Sequence, residues 1–189
     1  PREQQTFRAL VTEAMGGFPA ESLTGAGRSA PTRGLAYRLA EGVGLITVGE
    51  AREQWALLDE ESRERLKAVG VREGRRFVYV AGALAPQALE RRCMLTALFL
   101  QKPAPRGVPR EPVLDAAGLN VREARAFGYE LLGPVALRID LVERLGEALR
   151  HPRGALEAQS LMRELRLEGG ARALVLRELG GAPQGAASK

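Results

Sequence analysis

Three groups of arginines carry most of the chemistry legible in this chain. Arg72, Arg75 and Arg76 flank the glycine turn Gly70-Val71-Arg72-Glu73-Gly74, Arg91 and Arg92 open an apolar helical segment after Pro86, and Arg106 and Arg110 stand in a proline-rich stretch. A guanidinium is a rigid fork of donors that stays charged at neutral pH and matches phosphate oxygens in pairs. Tyr79, and with it Trp55, could supply the flat face on which an unstacked base of a single strand rests. The plainer reading is that the arginines are surface charges and the aromatics are core. Arg163, Arg166, Arg172 and Arg177 near the C-terminal end could also meet a phosphate backbone, but the interleaved Glu164, Glu168 and Glu178 work against it.

Other chemistries are poorly served. The chain has no Gly-x-x-x-x-Gly-Lys-Ser/Thr phosphate loop, no Gly-x-Gly-x-x-Gly after a strand, no His-Glu-x-x-His and no Gly-x-Ser-x-Gly. ATP hydrolysis is therefore not encoded here, and no catalytic residue, metal ligand set or cofactor is assigned to this chain. Cys93 is the single cysteine and His151 the single histidine. A disulfide framework and a multi-cysteine zinc site are excluded, and Cys93 reads as a small buried hydrophobe. Asp59-Glu60-Glu61, Glu143 with Glu147, and Glu164 with Glu168 sit at helix starts or on charged helix faces, where solvated pairs explain them.

All but three of the 28 basic residues are arginine, against 23 acidic residues, so the chain carries +5. That modest excess favours nucleic acid over acidic protein surfaces as a partner. At 189 residues and 45% hydrophobic content the chain can bury a core in one large domain or two small lobes. The sequence holds no apolar run long enough to cross a bilayer and no secretory signal at its start, so a cytoplasmic setting without membrane contact is expected. The start at Pro1 suggests a processed product or an excised piece of something longer.

The elements that must position these groups follow from periodicity. An amphipathic helix with Phe7, Leu10, Val11 and Ala14 on one face and a flexible glycine-rich joint make up residues 1–31. A lobe over 32–102 follows, with a helix capped by Thr32, a helix over Glu50 to Leu58 carrying Trp55, and a helix begun by Asp59 and closed by Gly70. In the same lobe Arg75 to Ala81 reads as a strand. From Pro86 to Leu100, apolar residues run nearly all round and predict a core helix with the stripe Leu89, Cys93, Thr96 and Leu100. Residues 103–112 form a proline-rich linker.

A second lobe spans 113–180, with a short helix over Val121 to Phe127, a hairpin across Gly133-Pro134, and a helix begun by Asp140 with Glu143 at capping-box spacing. Two helices of helix-turn-helix dimensions close it. Residues 181–189 read as a disordered tail. The fold class is thus α+β, mainly helical with short strands and a winged-helix-like C-terminal half. A faint internal echo links Gly70-Val71 to Gly74 and the helix after it with Gly128-Tyr129 to Gly133 and the helix after that.

Arg33-Gly34-Leu35-Ala36-Tyr37-Arg38-Leu39-Ala40-Glu41, Leu57-Leu58-Asp59 and Leu66-Lys67-Ala68-Val69-Gly70-Val71-Arg72-Glu73-Gly74 stand in an order that resembles the C-terminal region of mitochondrial-degradosome-type (suppressor-of-Var-like) superfamily II helicases and their proteobacterial relatives. The resemblance continues through Tyr79, Ala83-Leu84-Ala85-Pro86, Gly128-Tyr129 to Gly133-Pro134, and Arg138-Ile139-Asp140 to Glu143-Arg144-Leu145, covering roughly residues 32–180.

The resemblance implies a non-catalytic accessory module that binds single-stranded RNA or DNA or braces an upstream helicase motor. ATP and Mg would belong to that motor. The chain departs from the pattern in having Glu73 where relatives carry an aromatic, and Ala85 where a lysine precedes the proline. It also has Gly180-Gly181 in place of a Gly-Tyr-Arg continuation. The rival expectation is a protein–protein interaction module in which Trp55, Leu57 and the Phe7 face form an apolar patch and the arginines only solubilise.

Overall fold

The computed structural model describes residues 2–24, 28–103, 107–151 and 153–180. Arg106, part of the expected glycine joint and the expected disordered tail lie outside the described residues. The protein is α+β, 60% helical and 12% strand, with two three-stranded antiparallel sheets. It divides into two compact units, Pro1–Val108 and Pro109–Lys189. Among the described residues no helix is long and apolar enough to cross a membrane.

The first unit runs α1 (Arg2–Ala14), α2 (Ala20–Thr24), α3 (Ala30–Glu41), β1 (Leu45–Thr47), α4 (Val48–Ala56), α5 (Glu60–Ala68), β2 (Val71–Glu73), β3 (Phe77–Val80), a 3-10 turn (Ala81–Leu84) and α6 (Pro86–Phe99). Strand order is β1-β3-β2, so the run from α3 to β3 has the winged-helix-like order of helix, strand, helix, turn, helix and hairpin. Ile46, Val71, Val78 and Val80 point from one face of the sheet into a core with Leu35 and Leu39 of α3, Ala51 and Trp55 of α4, and Leu66 of α5. Trp55 is therefore core, and neither a stacking platform nor part of an apolar surface patch.

Caps explain where the helices begin. Asp59 caps α5 by accepting from the Ser62 N–H at 2.8 Å, as its sequence position predicts. Hydrogen bonds from Ser62 hold its carboxyl below the usual carboxylate value. Ser29, rather than Thr32, caps α3, and Pro31 occupies the first turn, where its missing N–H removes no helical bond. Thr47 and Glu50 form a reciprocal capping box that both ends β1 and starts α4.

Several expectations are corrected. The segment after α1 is no loose joint in its described part: Met15, Phe18 and Leu23 are buried in the first unit's core. β1 and β2 are three residues each, too short for an alternating pattern to announce them. Helix α6 is not a core helix. Leu98 is 77% and Phe99 72% exposed, whereas the buried side is Ala88, Arg92, Cys93 and Ala97. The packing of α1 on α6 selects a buried face of small residues that apolar content alone did not single out.

The second unit runs β4 (Val113–Asp115), α7 (Val121–Ala126), β5 (Tyr129–Leu132), β6 (Val135–Arg138), α8 (Ile139–Arg150), α9 (Ala155–Glu164) and α10 (Gly169–Glu178). Its strand order is β4-β6-β5, with the β5–β6 hairpin turning at Gly133-Pro134 as expected. Leu132 and Leu137 of the hairpin meet Val142 and Leu145 of α8, Leu161 and Met162 of α9, and Val175 and Leu179 around α10. Helix α8 begins at Ile139 without a side-chain cap, so the expected Asp140–Glu143 capping box does not form. The Ile139 N–H is satisfied by the Gly128 carbonyl at 2.9 Å, and Asp140 instead accepts from Arg138 Nε at 2.9 Å. A capping box does start α7, from Asn120 and Glu123.

Candidate nucleic-acid interface

The basic turn is a β-hairpin, and its register decides which groups share a face. Gly70, at φ +90°, closes α5 and turns the chain directly into β2. Arg72 then pairs across the ladder with Tyr79, and Leu45 of β1 flanks Tyr79 on its other side. Directly opposed residues project to the same face, so Arg72 and Tyr79 lie side by side on the face away from Val71 and Val80. Arg72 is exposed and Tyr79 half-buried. The tip is the two-residue link Arg75-Arg76, closed by the Gly74 N–H donating to the Phe77 carbonyl at 2.8 Å. Both tip arginines are half-exposed. Four of the eight sequence-chosen residues, Arg72, Arg75, Arg76 and Tyr79, are therefore brought together on one hairpin.

Arg72 is oriented by the helix end beneath it. Its Nη1 donates to the Lys67 carbonyl at 2.9 Å, a carbonyl in the last turn of α5 that also accepts from the Gly70 N–H at 3.0 Å. Lys67 is itself held charged by a hydrogen bond to Glu64, at 2.6 Å, which raises its pKa.

Helix α5 follows α4 across the short turn Leu57-Leu58-Asp59, which gives the pair helix-turn-helix dimensions. The end of a recognition helix that enters the major groove is its N-terminus, and here that end carries Asp59, Glu60 and Glu61. Those carboxylates repel a duplex backbone. Arg63, Arg65 and Lys67 lie further along α5, and Arg72, Arg75 and Arg76 stand together on the hairpin that follows it.

The remaining chosen residues part company. Arg92 is 4% exposed, with Nη2 donating to the carbonyls of Val43 at 2.8 Å and Ala83 at 3.2 Å. Burial pushes its pKa down to about 10. It is an internal clamp, and the expectation that it contacts nucleic acid is wrong. Neighbours in a helix point about 100° apart, so Arg91 and Arg92 do not share an environment. Arg91 is exposed and its Nε binds Glu13 of α1 at 2.9 Å. Arg110 is exposed in the second unit, beside Glu111.

Cys93 is buried, and burial pushes its thiol up to about 11, the opposite of what a thiolate nucleophile requires. His151 belongs to the other unit, where it is exposed and lies 3.0 Å from Glu147. Among the described residues no group of three or more His, Cys, Asp or Glu side chains could hold a metal ion.

Sequence reading passed over two exposed features. Tyr37 is 59% exposed on α3, one turn after Arg33 and beside Arg38. The spacing of Arg33 and Tyr37, outside the Leu35-Ala36-Leu39 stripe, was the signal available for it. Met94, Leu98 and Phe99 are exposed on α6, and only packing could have revealed them.

Comparison with family models, with curated proteins and with solved structures returns no match to this chain.

Proposed function

We propose that this chain is a non-catalytic module that binds single-stranded nucleic acid through the β2–β3 hairpin, as the accessory region of an ATP-dependent superfamily II helicase in the cytoplasm. The observation that carries the reading is the register that sets Arg72 beside Tyr79, with Arg75-Arg76 at the adjoining tip. Phosphates would meet the guanidinium groups, and a base would stack against the exposed part of the Tyr79 ring. Preference for a single strand follows from the acidic start of α5, which disfavours the major-groove approach of a duplex. Helicase context rests on the sequence motifs quoted above. ATP and Mg belong to the motor in this reading.

The test is fluorescence anisotropy of a labelled oligonucleotide, single-stranded and then duplexed, across a salt series. The logarithm of the binding constant should fall by about 0.7 per phosphate contact for each tenfold rise in salt, and Tyr79→Ala should cost about 1–3 kcal/mol. The duplex should bind less tightly. Absence of a shift at low salt would remove the nucleic-acid reading.

A second reading is favoured by one observation. Helices α1 and α6 pack together and leave the large apolar side chains of Phe7, Met94, Leu98 and Phe99 exposed. A protein-interaction module would use these residues, and Leu98→Ser with Phe99→Ser would then abolish partner binding while leaving oligonucleotide affinity unchanged.

A further inference from the structure

The faint echo between Gly70 and Gly128 is an equivalence of backbone hydrogen bonding. Moving the β2–β3 hairpin forward by 58 positions (70 to 128) lays it on β5–β6 in identical register: Val71↔Val80 falls on Tyr129↔Arg138, Arg72↔Tyr79 on Glu130↔Leu137, and Glu73↔Val78 on Leu131↔Ala136. The glycines that open both hairpins have φ of +90° and +83°. Each donates to a carbonyl three residues back, Lys67 or Arg125, at 3.0 Å, and each accepts from the residue after its hairpin, Ala81 or Ile139, at 2.9 Å.

The third strands agree as well. β1 pairs with the central strand as β4 does, Leu45↔Tyr79 matching Val113↔Leu137. On one side of this strand the Val80 N–H meets the Gly44 carbonyl at 2.9 Å, and the Arg138 N–H meets that of Pro112 at 3.2 Å. On the other, the Val48 N–H meets the Arg76 carbonyl at 2.8 Å and the Ala116 N–H that of Pro134 at 3.0 Å. From the first strand to the second, the first unit is longer by the helix α4, which has no counterpart. A shared strand order could arise from general topology alone. Shared register, shared left-handed glycines and shared bonds at both hairpin tips are a much narrower coincidence.

Side chains diverge where the backbone agrees. The pair Arg72–Tyr79 corresponds to Glu130–Leu137, and the tip Arg75-Arg76 to Gly133-Pro134 in register, although Gly133 has φ +62° and neither tip arginine has a positive φ. Glu130 is buried and held by Arg125 of α7 at 3.0 Å and 3.4 Å, and Leu137 is core. The second hairpin has no cation at its tip, and its one arginine–aromatic pair, Arg138 opposite Tyr129, leaves no stacking face, since Tyr129 is buried and Arg138 is bound to Asp140 at 2.9 Å.

We infer that the two units contain two copies of one strand–helix–hairpin module, and that the single-strand contact is confined to the hairpin of the first copy, the second serving as core. The confinement rests on the nucleic-acid reading above; the equivalence does not.

The test transplants one tip into the other hairpin within the full chain, as Arg75→Gly with Arg76→Pro, alongside Gly133→Asn with Pro134→Gly, which keeps a turn-competent pair. The first variant should melt cooperatively near the parent's midpoint, lose about ten-fold or more in affinity for a labelled oligothymidine, and lose about 1.4 from the salt slope, two contacts at about 0.7 each. The second should bind like the parent.

If the first variant binds like the parent, or the second weakens binding as much as the first, the confinement is overturned. If the first variant fails to fold while Arg75→Ala with Arg76→Ala folds, the hairpins are not equivalent. If the parent itself does not bind, the nucleic-acid reading and the confinement fall together, and the folding of the transplant still decides the equivalence.

Discussion

Arg92 Nη2 donates to the carbonyl of Val43 at 2.8 Å, joining α6 to a turn 49 positions earlier. Val43 has φ +50°, a conformation that a β-branched residue adopts at a cost, and the same Nη2 also reaches Ala83. One buried guanidinium thus ties the α3–β1 turn to the 3-10 turn after β3, at the end of the β1–β3 pairing where Leu45 meets Tyr79.

Replacing Arg92 by alanine leaves a cavity and two carbonyls without their donor. We expect a loss of about 3 kcal/mol in denaturant unfolding. Arg91→Ala breaks the exposed pair with Glu13 and a 3.9 Å contact to Met94 Sδ, and should cost less than about 1 kcal/mol. Equal effects at the two positions would show that Arg92 is no clamp.

Gly70 and Gly128 occupy the same left-handed position before their hairpins. Gly70→Ala and Gly128→Ala should each destabilise by about 1–2 kcal/mol, the cost of a Cβ in that conformation. Gly17, at φ +80° but in open space and outside either hairpin, provides a control for whether φ alone sets the cost.

The capping pattern predicts an asymmetry that sequence spacing would invert. Thr47→Ala and Asn120→Ala each remove half of a capping box and should cost about 1 kcal/mol. Asp140→Ala, at the box that does not form, should cost less than half as much in the same thermal denaturation series.

Tyr129 donates its hydroxyl to the Glu111 carbonyl, and burial pushes its pKa up to about 12 from an ordinary 10. Above pH 10 the unfolded chain releases a proton that the folded chain retains, so the unfolded state binds fewer protons and stability falls as pH rises. The contribution is intact below pH 10 and is lost progressively towards pH 12, by up to about 1.4 kcal/mol per pH unit. Tyr129→Phe should flatten that part of the alkaline stability profile and cost about 1 kcal/mol at neutral pH.

Local signals were legible to the extent that their physics is local. Asp59 as a cap, Gly70 as a helix stop and Gly133-Pro134 as a turn each follow from backbone conformation within a few residues, and each stands as the residue types indicate. The same reasoning failed at Asp140, because the helix already begins at Ile139, whose N–H is met by the Gly128 carbonyl, and the Asp140 carboxylate accepts from Arg138 instead. Two of the three strands in the first sheet were hidden, since a three-residue strand is defined by its partner's hydrogen bonds and not by its own pattern.

The candidate site divides along the same line. Arg72, Arg75, Arg76 and Tyr79 were grouped from sequence because they stand within eight positions, and the short hairpin does bring them together. Arg92 was misassigned because its neighbour Arg91 has the same side chain and the opposite fate, which depends on where Val43 and Ala83 come to lie. The amino-acid sequence by itself determined the mixed, mainly helical class, the start of α5 at Asp59, its stop at Gly70 and the turn at Gly133-Pro134, all of which rest on contacts within a few positions. Tertiary structure alone decided that Arg92 is buried, that Leu98 and Phe99 are not, and that the hairpins of Gly70 and Gly128 share one hydrogen-bond pattern. The reason is physical: burial is a property of what packs opposite a residue, and backbone pairing can persist when nearly every side chain on it has changed.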